Sequence, residues 1–105
     1  MKDIIERLVK FRDDRNWKQF HTPENLSKSV ILEAAELLEN YQWGEGHEDI
    51  DNVKDEIADI LSYCFLICEH YKFDIKEILN NKITKNEKKY PIDKAYGKSN
   101  KYNNL

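Results

Sequence analysis

Apolar positions recur at steps of three and four along nearly the whole chain, and no stretch alternates with the two-residue period of a half-buried strand. The pattern predicts an all-α fold of four helices. The first helix begins at about Asp3, a good N-cap, and carries Ile4, Ile5, Leu8, Phe11 and Arg12 as its inward stripe before ending near Asn16 and Trp17. A short irregular segment, Lys18 to His21, follows. Thr22-Pro23 then opens the second helix, with threonine as cap and proline at the first helical position, where its missing N–H costs nothing. That helix aligns Leu26, Val30, Ala34, Leu37 and Tyr41, and Gly44 and Gly46 predict its stop just after Trp43.

After an acidic approach from His47 to Asp51, the third helix is apolar around most of its circumference from Ile57 to Cys68. Such a helix is expected at the centre of the fold, with a face left for a second subunit. Asp74-Ile75-Lys76-Glu77 has the form of a capping box and opens the fourth helix, which presents Ile75, Ile78, Leu79, Ile83 and Asn86. Pro91 ends it, because proline cannot continue the backbone ladder. The expected organisation is one domain over residues 1–105, with about 92–105 as an extended polar tail carrying Tyr96 and Tyr102.

Charge adds an asymmetry to this picture. The net charge of −3 hides seven lysines against Glu87 and Asp93 from Lys82 onward, while Glu33 to Asp59 hold ten acids and one base, Lys54. The cationic end suits an anion held near the acidic helices, or else a solvated terminus. A broad basic excess, expected of a duplex-binding surface, is missing, so nucleic acid is set aside as a partner. No apolar run is long enough to span a bilayer and no leader-like apolar segment follows Met1, so no membrane partner and a cytoplasmic location are expected. Cys64 and Cys68, four apart in an apolar run, read as small core residues rather than as a metal or redox pair.

The chemistry concentrates in two carboxylate pairs, Glu33 with Glu36 and Glu56 with Asp59, each spaced i, i+3 and so one turn apart on one helix face. Apolar residues interleave with both pairs, and an acid beside a core stripe is costly unless its charge is compensated. Four such acids brought together would repel and raise one another's pKa. A hard divalent cation such as Mg²⁺, with Mn²⁺ as a substitute, resolves that repulsion and keeps coordination positions for a phosphate substrate. Solvated helix flanks account for either pair alone, so both readings stand at this point.

The residues also resemble a known family, the MazG-like all-α nucleoside triphosphate pyrophosphohydrolases. Its E-x-x-E, spacer, E-x-x-D signature stands here as Glu33, Glu36, Glu56 and Asp59. The likeness extends toward the dCTP pyrophosphatase branch, through the block from Phe11 past Trp17 and His21-Thr22-Pro23 to Leu26, the tryptophan at Trp43, and the Lys82-x-x-x-Asn86-x-x-x-Tyr90-Pro91 segment with Gly97-Lys98-Ser99-Asn100-Lys101-Tyr102 after it. The lysine- and asparagine-rich ending after Gly97 is the local departure.

The resemblance implies a MazG-like four-helix bundle working as a homodimer or dimer of dimers. It implies hydrolysis of a nucleoside triphosphate, dCTP or a modified dCTP in this branch, to monophosphate and pyrophosphate. Glu33, Glu36, Glu56 and Asp59 would then be the catalytic metal ligands, Lys82, Asn86 and Tyr90 the phosphate contacts, and Trp17, His21, Trp43 and Tyr63 the surround of base and sugar. The chemistry of the residues agrees: Lys82, Asn86 and Tyr90 form one row suited to an elongated anion, and a carboxylate not fully used as a ligand, Glu36 in the first place, is available to take the proton of an attacking water. Two alternatives remain, a broad house-cleaning pyrophosphohydrolase and a non-catalytic helical dimerisation module.

Overall fold

The computed structural model describes residues 1–104, and every regular element among them is helical. Four long helices, α1 (Lys2–Asp14), α2 (Pro23–Glu39), α3 (Ile50–Tyr71) and α4 (Ile75–Lys89), are joined by a 3₁₀ turn at Lys18–Phe20 and followed by a short α5 (Ile92–Ala95) and a 3₁₀ turn at Tyr102–Asn104. The chain forms two compact units, Met1–Lys72 and Phe73–Leu105.

In the first unit α3 is the common partner, packed against α2 along much of its length and against α1. Leu26 from α2 and Leu66 from α3 are its buried apolar residues. The stripe of α1 differs from the expected one. Ile5, Leu8 and Val9 are half-buried and Arg12 is buried, but Ile4 and Phe11 are exposed. The ends of α1 also shift, because Met1 rather than Asp3 is its N-cap and Asp3 sits in the first turn, bonded to the terminal amine at 3.1 Å. The helix stops at Asp14, where the N–H groups of Arg15 and Trp17 both donate to the Arg12 carbonyl at 3.2 and 3.0 Å. Asn16 then takes φ 53°, a left-handed conformation that asparagine tolerates better than most residues.

Thr22 caps α2 as its sequence predicts, its Oγ1 accepting the Asn25 N–H at 3.1 Å. The far end of α2 comes earlier than Gly44 suggests. Asn40 turns its amide back to the carbonyls of Glu36 and Leu37 and reaches across to Asn52 Oδ1 at 2.9 Å. The last helical residue is therefore Glu39, and the chain turns through residues 40–43 before the positive-φ glycines Gly44 and Gly46. Ala34 and Tyr41, expected in the inward stripe, are exposed. Asp49 caps α3 by accepting from the Asp51 and Asn52 N–H groups, and α3 ends at Lys72 in the left-handed region, φ 60°.

The second unit opens as expected, with Asp74 accepting the Glu77 N–H at 3.0 Å. Helix α4 ends at Lys89, just ahead of Pro91. The segment after Pro91 is not simply extended, since α5 and the Tyr102–Asn104 turn lie within it. Leu105 lies outside the described residues.

Candidate functional site

Packing of α2 on α3 brings acids of the two helices face to face. Ligand oxygens of Glu33, Glu56 and Asp59 all lie within 4.8 Å of one another. Glu56 is buried, Glu33 half-buried and Asp59 exposed, so the cluster opens from the helix interface toward solvent. Glu36 stands one turn along from Glu33, exposed and outside that set of three, although its carboxylate interacts with that of Glu33. The structure thus gathers three of the four predicted ligands and leaves the fourth beside them.

The electrostatics follow from the geometry. The Glu33 carboxyl is pushed up from an ordinary 4.5 to about 8, first by sharing a hydrogen bond with Glu56, then by desolvation, and then by the hydrogen bond and charge of Glu36. Carboxyls this close hold a proton between them unless their charge is compensated. Glu56 Oε2 is buried and has no hydrogen-bond partner among the described residues. An all-oxygen donor set with one buried, unsatisfied oxygen fits a hard divalent cation. On the same side, Glu36 and Glu56 join Glu39, Asn40, Asp49 and Asn52 around an open groove of about 380 Å³. Of these, Asn40 and Asn52 carry no sequence signal for a site; their bridge appears only once α2 and α3 are packed.

Asp59 also borders a second feature, a cavity of about 260 Å³ whose walls include Phe11, Trp17, His21, Tyr63 and Leu66. Three of the four predicted base and sugar residues therefore meet in one place, next to a member of the carboxylate cluster. Trp17 stands edge-on to Phe11, ring centroids 5.7 Å apart, and edge-on to His21 at 6.3 Å. Burial holds the His21 imidazole below its ordinary pKa, and the charge of Arg12 adds to this. Its Nδ1 is buried without a partner among the described residues. The Tyr63 hydroxyl is shifted the other way, raised first by burial and then by the charges of Glu33, Asp59 and Glu36, so it is a hydrogen-bond donor at neutral pH. Trp43 is 77% exposed, in the turn after α2, and does not line this cavity.

Lys82, Asn86 and Tyr90 belong to the second unit, the first two one turn apart on α4 and Tyr90 at its C-cap, its N–H bonded to the Asn86 carbonyl at 2.9 Å. There the region after Gly97 acquires a structural role. The Tyr102 ring stands edge-on to Tyr90 at 6.3 Å and lies beneath Lys89 Nζ at 5.0 Å.

The MazG-like family matches residues 28–105, a span that crosses both units. The dCTP pyrophosphatase 1 of Bos taurus is 28% identical over 114 residues, covering 100% of this chain and 68% of that protein. The Homo sapiens protein of the same name is also 28% identical over 114 residues, with 100% and 67% coverage. A solved pyrophosphatase from Archaeoglobus fulgidus DSM 4304 superposes with a TM-score of 0.81 at 37% identity, over 87% of this chain and 92% of that one.

Proposed function

We propose, from the premise that this chain belongs to the MazG-like family, that it hydrolyses a deoxynucleoside triphosphate, dCTP or a modified dCTP, to the monophosphate and pyrophosphate with Mg²⁺ as cofactor. The observation that carries this reading is the convergence of Glu33, Glu56 and Asp59 within 4.8 Å around a buried, unpartnered Glu56 oxygen. The names of the relatives, dCTP pyrophosphatase 1 and pyrophosphatase, point to the same chemistry.

A bound Mg²⁺ would supply Lewis-acid stabilisation of the charge that develops on departing pyrophosphate. The chain's own residues divide the remaining work. Glu33, Glu56 and Asp59 would hold the cation. Glu36, exposed beside them, is the carboxylate left to accept a proton from the attacking water at its Oε atoms. Trp17 offers an aromatic face to the base, a contact worth about 1–3 kcal/mol but blind to base identity, and His21 and Tyr63 offer polar atoms to its edge. Lys82, Asn86 and Tyr90 are the proposed phosphate contacts, a compact cation and two hydrogen-bond donors. Trp43 remains a proposed base contact through its exposed indole. The protein is proposed to act as a homo-oligomer. Ile31, Leu32 and Leu38 on α2 and Ile57 and Leu61 on α3 are exposed, and a second copy would cover them. Among the described residues no helix is long and apolar enough to cross a membrane.

A turnover screen of the common dNTPs and NTPs with 5-substituted dCTPs, run with Mg²⁺ in ¹⁸O-labelled water, tests the proposal. The expected result is preference for dCTP or a 5-substituted dCTP, with pyrophosphate as product and the label in the nucleoside monophosphate, which reports attack at the α-phosphorus. Release of orthophosphate, or label in pyrophosphate, contradicts it. So does a chain whose thermal stability and turnover ignore Mg²⁺ and Mn²⁺, the behaviour of a bundle without a metal site.

A further inference from the structure

A second cavity, of about 390 Å³, borders the one that holds Trp17 and Tyr63, with Lys18, Thr22, Glu69 and Lys72 among its walls. Arg12, His21 and Leu66 line both cavities and so form the partition between them. Arg12 is the unusual member. A guanidinium that is only 5% exposed has lost most of its hydration, and its charge needs partners. Asp13 Oδ1 accepts from Nε at 2.8 Å and Glu69 Oε2 from Nη1 at 3.1 Å. Lys72 Nζ holds the other Glu69 oxygen at 2.6 Å, which fixes Glu69 in turn. The backbone of Arg12 also shapes the site, since its carbonyl takes the Trp17 N–H at 3.0 Å. The two carboxylates occupy Nε and Nη1, whereas Nη2 donates to no group among the described residues.

We propose that Arg12 is a specificity-determining residue of the base cavity, its pinned guanidinium presenting N–H donors to the edge of a pyrimidine beside the unpartnered His21 Nδ1. The inference rests on the reading of this cavity as the base pocket. The physical point is that His21 cannot discriminate by itself, because an uncharged imidazole exchanges donor and acceptor roles by changing tautomer. An arginine donates and never accepts. The ring atom that faces it must be an acceptor. Cytosine offers acceptors at N3 and O2 and a donor at its exocyclic amine, which His21 Nδ1 can accept. O2 is an acceptor in all three pyrimidines and does not discriminate, but thymine and uracil carry N–H at N3 and an acceptor at O4, so an arginine aimed at N3 would face a donor and the amine that His21 Nδ1 accepts would be missing. A site with this fixed element rejects the wrong base by leaving a buried polar group unpaired, which is a stronger filter than shape.

The test compares Arg12→Gln, Arg12→Lys and wild type by the dCTP/dTTP ratio of kcat/KM, and independently by calorimetric affinities for dCMP and dTMP, which need no turnover. Glutamine ends two bonds short of the guanidinium nitrogens, carries no charge, and accepts as readily as it donates. Its preference for cytosine is expected to fall about ten-fold or more, mainly through KM. Lysine, a donor only, is expected to restore part of it. Where Arg12→Gln strands Glu69 and the chain fails to fold, the Arg12→Gln/Glu69→Gln double variant puts a neutral amide pair in place of the ion pair and is expected to show the same loss. An unchanged cytosine preference in the folded glutamine variant overturns the inference, because a merely structural arginine would not move that ratio. If wild type hydrolyses neither triphosphate, the proposed function fails while the affinities still decide. A dCMP preference lost in the glutamine variant supports the role of Arg12, and equal or absent binding of dCMP and dTMP by wild type overturns it.

Discussion

Replacing Glu33 by glutamine probes the carboxylate cluster through its electrostatics, with no substrate involved. In the metal-free fold the Glu33 carboxyl is pushed up to about 8 from 4.5 by Glu56, desolvation and Glu36. A group whose pKa is raised on folding binds its proton more tightly in the folded state. Its contribution is therefore fully present below about pH 4.5 and lost as pH rises through about 8. At face value such a shift corresponds to about 5 kcal/mol. Solvent reaches Glu33 and Asp59, so screening reduces the effect to about 1–2 kcal/mol. For a domain of this size that is a fall in Tm of roughly 5–15 °C between pH 5 and pH 9. Glu33→Gln, which has no proton to lose, should flatten this part of the profile and be the more stable protein at pH 9 in EDTA. Mg²⁺ should reverse the order. At a hundred times its Kd it stabilises wild type by about 2.7 kcal/mol, more than the deficit it must offset, and it competes best where Glu33 is ionised, so its effect grows with pH. Circular-dichroism melts of both proteins from pH 5 to 9, in EDTA and in Mg²⁺, measure all of this. Parallel Tm profiles for wild type and Glu33→Gln in EDTA would refute the reasoning, since titrating groups remote from the cluster contribute equally to both.

Two further outcomes are expected. Glu36→Gln, Glu56→Gln and Asp59→Asn should each retain wild-type helicity yet lose nearly all turnover at saturating Mg²⁺; full activity in Glu56→Gln or Asp59→Asn would remove the metal assignment. Sedimentation at micromolar concentration should give a dimer or larger, because Ile31, Leu32 and Leu38 leave apolar surface on α2 that a partner would cover; a sharp monomer would contradict the assembly.

The sequence by itself determined what depends on near neighbours along the chain. Helical period, the Thr22-Pro23 start, the Asp74 cap and the stop before Pro91 are local matters of dihedral preference and of satisfying orphan N–H groups. The spacing of Glu33 with Glu36, and of Glu56 with Asp59, likewise put each pair on one helix face, and the MazG-like resemblance was carried by residues in order. Spacing could not say which member of a pair looks at the other helix. That depends on the rotation of α2 against α3, and packing turned Glu33 into the cluster and left Glu36 at its rim. The end of α2 likewise differs from the local signal: the helix stops at Glu39, ahead of the glycines, and its cap residue Asn40 bonds Asn52, twelve residues away. Arg12 shows the division most clearly. Its place in the inward stripe of α1 is plain from periodicity. Of the two carboxylates that make a buried guanidinium tolerable, Asp13 is its neighbour in the chain, whereas Glu69, at 57 residues' separation, becomes a partner only in the folded chain, because a charge is compensated by proximity in space.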